Sequence, residues 1–158
     1  MIDKRNFYIN GKWVNPTINN DFDVINPSNE QSYAVISLGS KKDVDLAVLA
    51  AKKAFLNWSN VDKKERIILL ENLLKIYKIR WNEITLTMSE EMGAPLDWSS
   101  TAQTSSGADH INDFILRLKN FEFETKFNNK SNNHIVYEPI GVCGLITPWN
   151  WPINQITL

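Results

Sequence analysis

The residues best suited to chemistry lie near the end of the sequence, in Pro139-Ile140-Gly141-Val142-Cys143-Gly144-Leu145-Ile146-Thr147-Pro148-Trp149-Asn150-Trp151-Pro152. Val142 to Ile146 is apolar at successive positions, as in a parallel strand covered on both faces, and Pro148 ends it. Asn150 then stands just past the carboxyl end of a buried strand, where open α/β sheets place their ligands. Its side-chain amide can donate hydrogen bonds to an oxygen that gains negative charge, which is the role of an oxyanion-hole residue. A plainer role competes with this one: Pro152 suits the first turn of a helix, and Asn150 could cap that helix. Between strand and Asn150, the residues Ile146, Thr147, Pro148 and Trp149 form an apolar turn with a rigid proline and a broad aromatic surface. Such a turn is suited to lining a flat cofactor and keeping water from it. Leu145 and Trp151 are assigned to core packing, and Trp149 is open to the same reading.

The other candidates carry less. Cys143, the single cysteine, lies inside the apolar run, where burial would raise its pKa and remove the thiolate, so packing is expected rather than nucleophilic attack. His110 and His134 lie far apart with no carboxylate or cysteine at ligand spacing, and no metal site is expected. Glu90 and Glu91 adjoin on a helix and point in different directions, so they read as solvated rather than as a cooperating acid pair. Of the six tryptophans, Trp58 belongs to an apolar helix face and the others are scattered without accompanying basic residues, so they read as core and interface. No Gly-x-Gly-x-x-Gly occurs.

The elements that must position these groups fall into two regimes. Phe7 to Val14 reads as two short strands joined by Asn10-Gly11, the dipeptide of tight hairpins. Phe22 to Ile25 and Ser32 to Leu38 are further β-prone runs, stopped by Asn26-Pro27-Ser28 and by Gly39. Ser40 and Asp43 stand in capping-box spacing before a helical apolar face at Val44, Ala47, Val48, Ala51, Ala54, Phe55 and Trp58. Ser59 and Asp62 repeat that signal before Ile67, Leu70, Leu73, Leu74 and Tyr77. A third helix carries Ile84, Met88 and Met92 and should stop at Gly93, ahead of Pro95. One long helix with an ill-defined start is expected from Asp97 to Phe121, on Ile111, Phe114, Ile115 and Leu118. The polar run Asn128 to Asn133 reads as a loop, and Ile135 to Tyr137 as a strand.

Composition bounds the function. The chain has 158 residues, 17 Lys plus Arg against 18 Asp plus Glu, a net charge of −1 and 43% hydrophobic residues. This is the balance of a globular domain with no basic field for nucleic acid or anionic membrane. There is no apolar run of about 18 residues and no secretory pattern at Met1 to Phe7, so neither membrane insertion nor secretion is expected. One cysteine forms no internal disulfide, and the setting reads as cytoplasmic. The last helix is cut short at Leu158, and a strand buried on both faces needs neighbours, so the sequence is expected to be the front part of a larger, truncated α/β protein.

The segment from Pro139 to Pro152 resembles the aldehyde dehydrogenase superfamily, whose PxGVxGxIxPWNxP pattern it meets at every fixed position. The opening INGKWV, the Ile25-Asn26-Pro27 turn and Glu91-Met92-Gly93-Ala94-Pro95 extend the resemblance over essentially the whole chain. It implies a strand-rich start and helical region at 1–128, a bridging strand for oligomerisation at 129–138, and the beginning of a Rossmann-like core at 139–158. It implies an NAD or NADP cofactor along Ile146, Thr147, Pro148 and Trp149, with Asn150 as a catalytic oxyanion donor and an aldehyde oxidised to a carboxylic acid. It further implies a homo-oligomer, dimer or tetramer, at full length. The family's nucleophilic cysteine and its glutamate base match no position here, so the chain alone is expected to be inactive as a dehydrogenase and, without its neighbours, to aggregate or be partly molten. The alternative is a non-catalytic assembly or interaction module acting through the bridging strand.

Overall fold

Asn10 and Gly11 both take positive φ, 53° and 74°, the twist that a two-residue hairpin demands. They join β2 (Phe7–Ile9) to β3 (Lys12–Val14) in an antiparallel pair with Tyr8 opposite Trp13. The computed structural model describes residues 1–128 and 132–158. A three-stranded sheet is ordered β1-β5-β4, with β1 at Ile2–Lys4, β4 at Asp21–Asn26 and β5 at Gln31–Ser37. β4 and β5 run antiparallel, with a register shift between Val24 and Ile25, whereas β1 lies parallel to β5. Sequence patterning did not reveal β1: its three exposed residues alternate nothing, and only pairing with β5 makes them a strand.

Helix α1 (Lys41–Trp58) begins with the complete capping box of Ser40 and Asp43. Helix α2 (Lys63–Ile79) is capped by Asp62, which accepts from Lys64 N at 2.9 Å, while Ser59 closes α1 instead of opening α2. Arg66 binds the short connection: its guanidinium lies 4.6 Å from the Trp58 ring centroid and donates to the Trp58 and Val61 carbonyl oxygens. Helix α3 (Trp81–Met92) ends at Gly93 with φ 70°, and a Cβ there would press to 2.7 Å from Pro27 Cγ. The same junction is fastened by Asn26 Nδ2 donating to Glu90 Oε2, so Glu90 is half-buried and partnered rather than solvated.

The expected long helix is present as a continuous run: α4 (Leu96–Trp98), a π-helical segment (Ser99–Thr104) and α5 (Ser105–Asn120). Its polar start is ill-defined in sequence because hydroxyls bond back to the preceding turn, Thr101 Oγ1 to Asp97 O at 2.6 Å and Ser105 Oγ to Thr101 O at 2.6 Å. The core lies where α2 meets α5, around Tyr77, Ala108, Ile111 and Ile115, with Ile67, Leu70, Leu74, Trp81, Ile84 and Ile153 packed against it. α1 differs: Val44, Ala47, Val48, Ala54 and Trp58 are exposed, and only Ala51 and Phe55 of its apolar face are half-buried.

Strands β6 (Glu124–Lys126) and β7 (His134–Val136) form an antiparallel pair, and Glu124 accepts from His134 Nδ1 at 2.6 Å. Residues 129–131, within both the expected loop and the expected bridging segment, lie outside the described residues. Val142–Ile146 corrects expectation. Among the described residues it pairs with no strand, because a central strand exists only through its neighbours, and these residues are exposed. Helix α6 (Pro152–Thr157) follows, with proline in its first turn as expected. Among the described residues, no helix is long and apolar enough to cross a membrane.

Candidate functional site

Asn150 is exposed immediately before α6. The cap position belongs to Trp151, and no side chain caps that helix, so the structural role that competes for Asn150 is not the one it performs. Its amide makes no hydrogen bond among the described residues and is free to donate outward. What holds its surroundings is aromatic and apolar. Trp151 meets Trp98 edge to face, ring centroids 5.7 Å apart at 74°, and Ile153 packs on the core.

Ile146, Thr147 and Pro148 line a cleft of about 750 Å³ together with Leu70, Leu73, Ile111 and Phe114 of α2 and α5 and residues of α6. Trp149 does not line this cleft and is 77% exposed, while Ile146 is 99% exposed. Three of the four residues expected to meet a cofactor, Ile146, Thr147 and Pro148, thus share an open, largely apolar surface with a hydroxyl at Thr147. That chemistry fits one face of a flat ring system and places no buried charge against it. Asn150 does not line the same cleft.

Cys143 departs from expectation. It is exposed, its Sγ 3.8 Å from the Gly141 carbonyl oxygen, so burial is not what keeps it from acting as a nucleophile. Among the described residues none of the six tryptophans is buried, and Trp81 and Trp151 come closest. His110 accepts or donates at Nδ1 to Thr157 Oγ1 over 3.3 Å, tying α5 to α6. Sequence reasoning missed the buried polar group beside this region: Tyr77 Oη donates to Thr104 O at 2.8 Å, Thr85 and Thr104 hydroxyls lie 2.8 Å apart, and Trp81 Nε1 donates to Ser100 Oγ at 3.0 Å. The Ser99–Ser106 run of small polar residues was its only trace in the sequence. Burial pushes the Tyr77 phenol up to about 12.

Residues 13–158 match the aldehyde dehydrogenase family. The 3-succinoylsemialdehyde-pyridine dehydrogenase of a Pseudomonas species is 43% identical over 157 residues, 99% of this chain and 32% of that protein. An aldehyde dehydrogenase structure from Bartonella henselae is 47% identical with a TM-score of 0.97, over 99% of this chain and 33% of that one. An aldehyde dehydrogenase from Pseudomonas syringae, solved with NAD+ and octanal, is 36% identical with a TM-score of 0.91, over 97% of this chain and 31% of that one. The chain spans about a third of the length of these relatives.

Proposed function

This chain belongs to the aldehyde dehydrogenase family, and on that premise we propose that it supplies the oxyanion donor and one wall of the cofactor site for NAD- or NADP-dependent oxidation of an aldehyde to a carboxylic acid. The observation that carries the reading is the uncommitted Asn150 amide, exposed and relieved of any capping duty at the head of α6. As a thiolate adds to the aldehyde carbon, the carbonyl oxygen takes up negative charge, and Nδ2–H of Asn150 donates to it. The thiolate comes from outside these residues, as does the base that activates water for release of the acid. Ile146, Thr147, Pro148 and Trp149 would hold the cofactor by apolar contact and exclude water from one of its faces. NAD or NADP, when bound there, supplies the oxidising power for the aldehyde.

Assembly as a homo-oligomer, dimer or tetramer, belongs to the same proposal. It is supported by the two-stranded β6–β7 pair, whose residues are all exposed and whose outer edges can extend a partner's sheet. A cytoplasmic setting goes with it, supported by the unpaired cysteine. The deciding experiment is Asn150→Ala in the complete dehydrogenase that contains this segment. The expected result is a fall in kcat of about 100- to 1000-fold with cofactor binding retained. A variant with unchanged kcat ends the oxyanion assignment.

A further inference from the structure

The link between the core and Asn150 runs through α6. Ile153, in its first turn, packs on the Tyr77, Ala108, Ile111 and Ile115 cluster, and Gly107 lies buried against it on α5. A Cβ at position 107 would overlap Ile153 Cγ2 outright and come within 2.5 Å of Tyr77 Oη and 3.0 Å of its Cζ. Neither neighbour yields easily. Tyr77 is fixed by its hydrogen bond to Thr104 O at 2.8 Å, and β-branched Ile153 is stiff at χ1. Gly107 sits within a helix, where glycine is disfavoured, and its φ lies outside the left-handed region. Its backbone therefore has no need of glycine; the packing does.

The remaining joints of α6 are tight as well. Trp151 stands edge-on to Trp98, Pro152 stiffens the first turn, and Thr157 Oγ1 meets His110 Nδ1 of α5 at 3.3 Å. Asn150 leads directly into this seated helix. We infer that Gly107 is a positioning residue for the Asn150 amide: the missing side chain sets how closely α6 lies on α5, and so where Asn150 stands. The inference rests on the assignment of Asn150 as oxyanion donor, but its test reads position separately from catalysis.

Gly107→Ala overfills the seat and Ile153→Ala empties it. In the complete dehydrogenase that contains this segment, hydrogen exchange over 152–158 is expected to accelerate about tenfold in each variant while β4 and β5 exchange as before. The near-ultraviolet circular dichroism of the Trp98–Trp151 pair should weaken in both. The same substitutions in the complete dehydrogenase should lower kcat with little change in the KM for cofactor. Ile153→Ala introduces no overlap and decides the matter if Gly107→Ala does not fold. The inference is overturned by wild-type exchange and dichroism in both variants, by acceleration spread evenly over the chain, or by a wild-type 152–158 that is unprotected. If position shifts as expected while Asn150→Ala keeps its kcat, the seat stands and the catalytic assignment fails.

Discussion

Asp43 ties the segment at Thr17 to the start of α1 with one carboxylate. Oδ1 accepts from Thr17 N at 2.9 Å, and Oδ2 accepts from Ser40 N at 2.8 Å and Ser40 Oγ at 2.6 Å. The Ser40 hydroxyl, then the Thr17 amide, hold its pKa down at about 2 against an ordinary 3.8. A depressed carboxyl stabilises the fold above its unfolded value, and that contribution disappears as pH falls from 3.8 toward about 2. Asp3, held low by Arg5, titrates in the same window, so the wild-type curve alone does not isolate Asp43. The expected result is therefore a difference: the gap in Tm between wild type and Asp43→Asn, full at about pH 5, should close as pH approaches 2. A gap that stays constant over this range contradicts the role given to the charge. Tyr77 has the opposite sign. With its phenol raised to about 12, its stabilising share is complete below the ordinary 10.0 and is lost as pH rises from there through about 12. Tyr77→Phe leaves the Thr104 carbonyl without its donor and should cost about 1–2 kcal/mol in denaturant unfolding.

Elements whose signals are completed within a few residues were legible in the sequence. The Asn10-Gly11 turn, the Ser40–Asp43 box, the Gly93 stop and the Pro152 start each depend on local backbone chemistry, and each is found where it was expected. Strands with a β-prone run of their own, such as β4, β5 and β7, were legible too, whereas the short exposed strands β1 and β6 were not. β1 needs β5 some thirty residues away, β6 needs β7, and Val142–Ile146 has the composition of a strand without any neighbour to make it one. For the site, residue types and order were legible, whereas exposure was not: Cys143 and Trp149 carry apolar neighbours in sequence and open surroundings in space. The π-helical segment is the third kind of case. Ser99 and Thr104 are fully buried, and Thr104 serves Tyr77 through its carbonyl and Thr85 through its hydroxyl, a pattern set by α2 and α3 rather than by the segment itself. Thr104→Val keeps the volume and removes the hydroxyl, leaving Thr85 Oγ1 buried without that partner. Chemical denaturation should show a loss of about 1–3 kcal/mol, and an unchanged midpoint would mean that the segment is held by packing alone.

At the scale of the whole molecule, apolar surface is distributed unlike that of a self-sufficient domain. Among the described residues the buried apolar side chains are Ala34, Tyr77, Met88, Ala108, Ile111 and Ile115, while Ile140, Leu145 and Ile146 are 93%, 84% and 99% exposed. Each large aliphatic side chain left in water forgoes about 1.5–3 kcal/mol of burial, comparable in sum to the whole stability of an ordinary domain. Some of the exposed groups share a cleft or a helix. Ile146 and Leu145 border the cleft formed with α2, α5 and α6, and Val44, Leu46, Val48, Leu49 and Leu56 crowd one helix, α1. Exposed apolar surface on this scale drives association or loosens tertiary packing. The 158-residue chain on its own should therefore bind the dye ANS, run as a broad or high-mass species in size exclusion, and show no NAD-dependent turnover with any aldehyde. The last outcome follows from chemistry as well as packing. Cys143 is the only thiol, and the proposed reaction draws its nucleophile and base from outside these residues. An oxyanion donor, the role proposed for Asn150, stabilises charge on an oxygen but forms no bond to carbon. Cysteine-free turnover, surviving Cys143→Ser in material cleared of host enzyme, would overturn the division of labour proposed for this chain. A sharp monomer peak with cooperative unfolding would instead leave the chemistry intact and show that α1 and the cleft are stable uncovered.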